Sequence, residues 1–275
     1  MTLREAIKLL SASGVDSPEA DAMALCRAFC GISPASALAR RDEELSSDAF
    51  DAALKRRCSR EPLQYILGVW GFMDSEFSVS PGCLIPRQDT ELIADTAIRS
   101  LPHGGRLLDL CTGSGCIPIS VLLARRDCKG AALELSEDAL AVAMKNASDS
   151  GVTDRLELIR GDVLSSQPPT ELENARFDVI TANPPYIPSC HIGGLAPELA
   201  YEPRMALDGG EDGLDFYRAI LSVYPRLLSS AGVMLLEIGF DQGRAVSDIA
   251  VKTGLSCRIE KDLAGLDRMA VVEKK

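Results

Sequence analysis

The 275-residue sequence is poor in histidine, aromatic residues and positive charge: it has two histidines, one tryptophan, 5% aromatics, and 29 Lys and Arg against 40 Asp and Glu. A net charge of −11 and a pI near 4.8 argue against a broad phosphate-binding surface and against direct nucleic-acid binding. No apolar run approaches the ~20 residues that a membrane span needs, so no membrane association is expected. The opening Met1-Thr-Leu-Arg-Glu-Ala-Ile-Lys mixes charges with apolar residues at helical spacing, unlike a secretory signal. The expected compartment is the cytoplasm. Nine cysteines are scattered without a Cys-x-x-Cys, and they read as reduced, mostly buried thiols. Cys26 and Cys30 share a helix face, but nothing nearby completes a ligand set, so core packing is the reading and no metal is called for.

What is present is the composition of an ordinary globular protein, 46% hydrophobic and 25% charged, long enough for one large unit and one small one. Residues 1–70 read as helical. Leu3, Ala6, Ile7 and Leu10 recur at helical spacing. Ser17-Pro18 is a cap and first-turn pair leading into Met23, Cys26, Phe29 and Cys30, with Gly31 as the stop. Ser47 caps a third helix carrying Phe50, Ala53 and Leu54. Residues 71–88 read as a β-hairpin linker, with Phe77 and Val79 alternating with serines before a Pro81-Gly82 turn. Residues 89–275 alternate strand and helix. Strands are expected at 106–110, 130–135, 156–161, 177–182, 232–239, 256–261 and 268–273, and helices at 90–100, 115–126, 136–150, 215–230 and 241–253. The fold class is therefore α/β, a mostly parallel seven-stranded sheet with helices on both faces.

The fourth of those strands, Phe177 to Ala182, stops abruptly at Asn183-Pro184-Pro185-Tyr186. Both prolines have a fixed φ and no N–H, and Asn183 and Pro184 each precede a proline, so the segment is a stiff extended elbow. Its carbonyls and the Asn183 side-chain oxygen are candidates to accept hydrogen bonds from one ligand, and an NH₂ group with two donors suits such a pair. Tyr186 offers a flat face to a planar or cationic centre.

The first strand runs through Asp109 into Cys111-Thr112-Gly113-Ser114-Gly115 and a helix. Glycines there let a ligand approach the backbone, and the helix start offers free N–H groups. Glu134, which ends the second strand 21 residues after Gly113, is placed to accept ribose hydroxyls. Asp162, after the third strand, is placed to accept an adenine amino group, with Val163 against the ring. A nicotinamide enzyme would want a third glycine where Pro118 stands, which disfavours that reading. Ligands of open α/β sheets bind at the carboxyl ends of the strands, where all these residues fall.

Together these residues resemble the class I S-adenosylmethionine-dependent methyltransferases, and more narrowly the PrmC/HemK family, the protein-(glutamine-N5) methyltransferases of peptide chain release factors. The resemblance spans nearly the whole chain: Glu61 to Gly68, Val79 to Arg87 followed by Asp89-Thr-Glu91, Asp109 to Gly115, Asn183 to Tyr186, Tyr201-Glu-Pro203, and Ala206 to Leu214. The chain departs from the family pattern at Cys111, where glycine is usual, at Glu134, where aspartate is common, and at Gln88, where proline is frequent.

The resemblance implies a Rossmann-like methyltransferase domain at 89–275 and a helical substrate-docking domain at 1–70. It implies S-adenosylmethionine as cofactor, a release factor as protein partner, and methylation of the glutamine in its Gly-Gly-Gln loop. Cofactor contacts would come from Asp109, Cys111, Thr112, Gly113, Ser114, Gly115, Glu134, Asp162, Val163 and Asn183. Asn183, Pro184, Pro185 and Tyr186 would hold the substrate, with Asn183, Pro184 and Tyr186 at the chemistry. Arg87 is read as half of a structural ion pair, and His191 as a solvent-exposed residue with no chemical role. Alternatives that keep the chemistry are a ribosomal-protein glutamine or an exocyclic amine of DNA or RNA. A cofactor-binding sensor without catalysis is the alternative of another class, and the intact elbow speaks against it.

Overall fold

The computed structural model describes residues 1–45 and 47–275. They fall into two compact units, Met1–Val69 with Ala196–Tyr201, and Trp70–Leu195 with Glu202–Lys275.

The first unit is helical: α1 (Leu3–Ala12), α2 (Pro18–Cys30), α3 (Pro34–Ala39), α4 (Asp48–Cys58) and α5 (Leu63–Leu67). Thr2 and Glu5 close a capping box at α1, and Ser47 caps α4 through the Phe50 N–H. Ser17 stands at the α2 N-cap position, but its side chain makes no capping bond. The buried face of α2 is Asp21, Ala22, Leu25 and Cys26; of the Met23, Cys26, Phe29 and Cys30 expected from spacing, Cys26 is buried and the other three are only half-buried. The rotation has a cause in charge. Arg57, 6% exposed, draws Asp21 inward through a 2.7 Å bond from Nε. Arg57 Nη2 also donates to Glu198 at 3.0 Å, and Arg60 grips the same carboxylate with two bonds of 2.7 Å. A segment distant in sequence, Ala196–Tyr201, thus belongs to this unit.

Burial alone would raise the Glu198 acid, but the two arginines prevail and bring it from an ordinary 4.5 to about 2. A depressed carboxylate contributes stability that is complete above its unfolded value and is lost as pH falls through the folded one. Acid unfolding followed by circular dichroism should therefore show a loss between pH 4.5 and about 2 that Glu198→Gln flattens. An unchanged acid limb in that variant would remove Glu198 from the account.

The second unit opens with a two-stranded hairpin, β1 (Val69–Phe72) and β2 (Ser75–Ser78). Its turn is at Met73-Asp74, with Met73 at φ +50, upstream of the Pro81-Gly82 signal, which forms a separate turn. Then come α6 (Glu91–Ser100), β3 (Arg106–Leu110), α7 (Cys116–Ala124), β4 (Lys129–Glu134), α8 (Glu137–Asp149), β5 (Leu156–Arg160) and β6 (Phe177–Ala182). They are followed by α9 (Asp215–Val223), β7 (Leu228–Glu237), α10 (Gly243–Lys252), β8 (Leu255–Lys261) and β9 (Asp267–Lys274). The helix expected over 215–230 stops at Val223, because Pro225 removes a donor and forces a short 3-10 turn before β7.

The seven strands lie in the order β5-β4-β3-β6-β7-β9-β8, parallel except for β9, which runs antiparallel to both neighbours. Alternate strand residues feed two cores. Leu108, Leu110, Ile180, Ala182, Met234 and Leu236 face α9 and α10 through Tyr217, Ile220, Val246 and Ala250. Leu107, Val179, Leu235 and Val271 face α6 and α7 through Ile93, Ala97, Ile119 and Leu122. Pro118 is tolerated because it lies in the first turn of α7, where N–H groups have no helical partner. Strand order reverses between β3 and β6, and a crevice opens beyond the carboxyl ends of the strands there. Among the described residues no helix is long and apolar enough to cross a membrane.

Candidate active site

A cleft of about 880 Å³, counting the open space at its mouth, occupies that crevice. One part of its wall is Cys111, Thr112, Gly113, Ser114, Glu134, Asp162 and Val163. The other is Ile85, Arg87, Thr90, Asn183, Pro185, Pro203, Met205, Ala206 and Phe216.

The loop after β3 owes its shape to two carboxylates. Asp109 is fully buried and does not line the cleft; it accepts from Thr112 Oγ1 and from Thr181 Oγ1, each at 2.6 Å. Burial raises its acid to about 7 against the lowering effect of those two bonds. Glu134, 9% exposed, accepts from the Gly113 N–H at 2.8 Å, and its other oxygen accepts from the N–H groups of Leu135 and Ser136 at 2.9 Å. Gly115 stands at φ +78, a left-handed backbone that favours glycine, and a Cβ there would also crowd Ile119 at 2.9 Å and Ala143 at 3.3 Å. Asn146 of α8, buried, donates to the carbonyls of Ser114 and Ser78 and accepts from the Ser78 N–H, tying loop, helix and hairpin together.

Cys111 stands at φ +58, a left-handed backbone that favours glycine, so the cysteine is accommodated at a strain of about 1–2 kcal/mol. Its side chain packs against the β3–α9 core, where burial first, and then Glu134, Asp109 and Asp162, push the thiol well above its ordinary range. It is a spacer rather than a nucleophile. Cys111→Gly should melt at or above the wild-type temperature, because relief of strain offsets the lost thiol contacts. Cys111→Val should lose about 2 kcal/mol, since a β-branched residue fits this conformation worst. A valine variant as stable as wild type would mean the loop is unstrained.

At the end of β6, Asn183 is half-buried in the cleft wall, and its Nδ2 donates to Thr90 Oγ1 at 3.1 Å. Pro185 shares the lining, whereas Pro184 is buried and Tyr186 turns away. The Tyr186 hydroxyl points to Glu237 at 3.4 Å, and its backbone carbonyl accepts from Gln242 at 2.9 Å. Gly209 crosses so close behind the elbow that a Cβ would lie 2.8 Å from the Tyr186 Cα.

The Arg87–Glu91 segment is a row of clasps. Arg87 pairs with the buried Glu202, which also accepts from the Ile85 N–H at 3.0 Å. Asp89 pairs with Arg268 at 3.2 Å, Thr90 donates to Glu237 at 2.6 Å, and Glu91 accepts from the Met73 N–H at 2.8 Å. Arg204 pairs with Asp208, and His191 is exposed. Sequence reasoning missed Thr90, Asn146, Glu237 and Arg268. Of these only Glu237 had a local signal, an acid ending an apolar strand as Glu134 does.

A parallel sheet with an antiparallel β9, a glycine turn after β3, an acid after β4 and a polar elbow after β6 define a Rossmann-like class I S-adenosylmethionine-dependent methyltransferase. Residues 2–68 match the PrmC N-terminal domain and residues 88–198 the methyltransferase small domain. A release factor glutamine methyltransferase of Moorella thermoacetica is 40% identical, covering 98% of this chain and 97% of its own length. One of Geobacter sulfurreducens is 37% identical, covering 94% and 91%. Among solved structures, the catalytic domain of hMettl16 in complex with MAT2A 3'UTR hairpin 1 shares the fold at TM-score 0.59 and 13% identity, covering 94% of this chain and 80% of that one. The chain belongs to the release factor glutamine methyltransferase family.

Proposed function

We propose that this protein transfers a methyl group from S-adenosylmethionine to the side-chain amide nitrogen of the glutamine in the Gly-Gly-Gln loop of peptide chain release factors. The observation that carries the reading is Asn183. It is half-buried in the cleft wall beside the cofactor loop, with its amide nitrogen engaged behind it, which leaves its oxygen for a ligand N–H.

The wall residues fit the cofactor. The backbone of Cys111–Gly115 takes its methionine and ribose portion, Glu134 the ribose hydroxyls, and Asp162 with Val163 the adenine. Asp109 acts from below, by fixing Thr112. When bound, S-adenosylmethionine supplies a methyl group made electrophilic by positively charged sulfur. A carboxamide nitrogen is a weak nucleophile, because its lone pair is delocalised, so the protein's task is placement. The Asn183 side-chain oxygen takes one N–H of the substrate amide; the Pro184 carbonyl, which stands outside the lining described above, takes the other when the substrate amide is seated against the elbow. Two fixed acceptors orient the nitrogen and stabilise the positive charge that develops on it. Pro185 and Phe216 supply apolar wall, and Tyr186 braces the elbow. No strong base is needed before attack: the carbon–sulfur bond would break as the nitrogen–carbon bond forms, leaving neutral S-adenosylhomocysteine, and the cationic methylated amide would then release one N–H proton to water.

The helical unit, with Glu198 drawn into it, is assigned to substrate docking, the hairpin segment 71–88 to linkage, and 89–275 to catalysis. The cytoplasm, where release factors work, is the assigned compartment. The net charge of −11 favours a protein substrate over nucleic acid, and a gel-shift with duplex DNA or RNA at physiological salt checks that choice.

The test is incubation with methyl-labelled cofactor and a purified release factor. Label is expected on the Gly-Gly-Gln glutamine and on nothing when that residue is alanine. Label retained on the alanine variant, or found on RNA, would overturn the substrate assignment.

A further inference from the structure

Thr90 and Glu237 have no part in the reaction described above, yet both are buried beside Asn183, at 2% and 1% exposure, Thr90 at the edge of the cleft wall and Glu237 behind it. We infer that they are positioning residues: a buried hydroxyl–carboxylate relay that holds the Asn183 amide with its oxygen facing the cleft. The inference rests on the reading of Asn183 as the substrate acceptor.

The polarity of the relay follows from counting protons. An ionised carboxylate only accepts, and a threonine hydroxyl has one hydrogen. Glu237 Oε2 lies 2.6 Å from Thr90 Oγ1, so the hydroxyl hydrogen is committed to the carboxylate. Thr90 then has only lone pairs to show Asn183, 3.1 Å away, and Asn183 must present N–H to it. Its oxygen is left at the opposite end of the amide, toward the cleft. Protonation of Glu237 removes the constraint. The acid then donates to Thr90, Thr90 is free to donate to Asn183, and the amide can invert. An inverted amide sets N–H against the N–H of the substrate. The direction of a bond made at the cleft is thus decided two residues behind it.

The surroundings of Glu237 allow both states. Facing it are Asp89 and Thr90 from the turn before α6, and Tyr186 from the elbow, whose hydroxyl donates to Oε1 at 3.4 Å. Arg268 of β9 also faces it, and Tyr217 of α9 donates to its backbone carbonyl at 2.7 Å. Arg268 is itself shared with Asp89 and Asp262 at 3.2 and 3.1 Å, so its charge is only partly available. Burial raises Glu237 to about 7, with Thr90 and Arg268 opposing and Asp89 adding. The rate should therefore rise with pH as Glu237 ionises and fall on the acid side.

The experiment measures kcat, KM for a release factor and the pH profile, alongside binding of S-adenosylhomocysteine by calorimetry. Glu237→Gln, whose amide oxygen would take the Tyr186 hydroxyl and turn its NH₂ toward Thr90, should lower kcat by about 10²-fold, as does loss of one group that stabilises transition-state charge. Its acid limb should disappear, while S-adenosylhomocysteine binding stays within about twofold. Thr90→Val should lower kcat similarly, and Thr90→Ser should recover most of the rate. Wild-type kcat with an unchanged acid limb in Glu237→Gln or Thr90→Val would overturn the relay. Should Glu237→Gln not fold, the Thr90 pair decides by the same readings. If Asn183→Ala is inactive while Thr90→Val turns over normally, the relay fails and the acceptor reading stands. If Asn183→Ala itself turns over normally, the acceptor reading has failed.

Discussion

Asn183→Ala is expected to abolish measurable methyl transfer, with kcat reduced by about 10³-fold or more while S-adenosylhomocysteine affinity changes far less. The elbow is rigid by composition, so truncation leaves the two prolines and the backbone course in place and removes one oxygen. That oxygen does two things. On the proposed reading it fixes the direction of the amide nitrogen, and it meets a charge present only as the reaction proceeds. Groups that act on developing charge change kcat more than binding, and one lost group of this kind costs about 3–4 kcal/mol. Asn183→Asp tests the same point from another side. It keeps an acceptor but loses the N–H that Thr90 receives at 3.1 Å, and it sets a carboxylate near the buried Glu237. Near-normal turnover by the alanine variant would remove Asn183 from the chemistry.

Glu134→Ala should produce the largest loss of cofactor affinity, about 10²-fold in the dissociation constant of S-adenosylhomocysteine. The carboxylate organises three N–H groups, those of Gly113, Leu135 and Ser136, and is placed to meet the ribose. Hydrogen bonds to a charged group contribute about 1.5–3 kcal/mol each, so losing even two reaches that factor. Glu134→Asp keeps the charge but is shorter by a methylene, and should fall between. Affinity within about threefold of wild type in Glu134→Ala would mean that the ribose is held elsewhere.

Much of the second unit was legible because its strands carry two signals at once. Leu107 to Leu110, Gly130 to Glu134 and Phe177 to Ala182 are largely apolar on both faces, as parallel strands must be, and each has a polar group at or near its carboxyl end, Asp109, Glu134 and Asn183. The order of those stops along the chain then placed the crevice. The failures are equally physical. The α9 region looked helical through residue 230, because periodicity outweighed a single Pro225, yet one missing donor ended the helix. The buried face of α2 was misplaced because its inward residue is an aspartate, which a hydrophobic pattern does not count. The helices α3 and α5, of six and five residues, are too short to show a period.

The cleft was legible only in part. The residues proposed to touch a ligand sat in recognisable local motifs. Those that hold them in place act across distance: Thr90 meets Glu237 over 147 positions, Asn146 meets Ser78 over 68, and Glu198 meets Arg57 over 141. No window on one sequence joins such pairs. Pro184 and Tyr186 show the converse. The motif made them conspicuous, yet in the fold they stand behind the lining, where Gln242 and Glu237 fix Tyr186 and Gly209 passes close.

The most direct test of the account is a crystal structure with S-adenosylhomocysteine and a glutamine-bearing release-factor loop. The prediction is that the glutamine amide nitrogen lies within about 2.7–3.2 Å of both the Asn183 side-chain oxygen and the Pro184 carbonyl, facing the sulfur of the cofactor product. A glutamine seated elsewhere in the cleft, or an Asn183 oxygen turned toward Thr90, would contradict it.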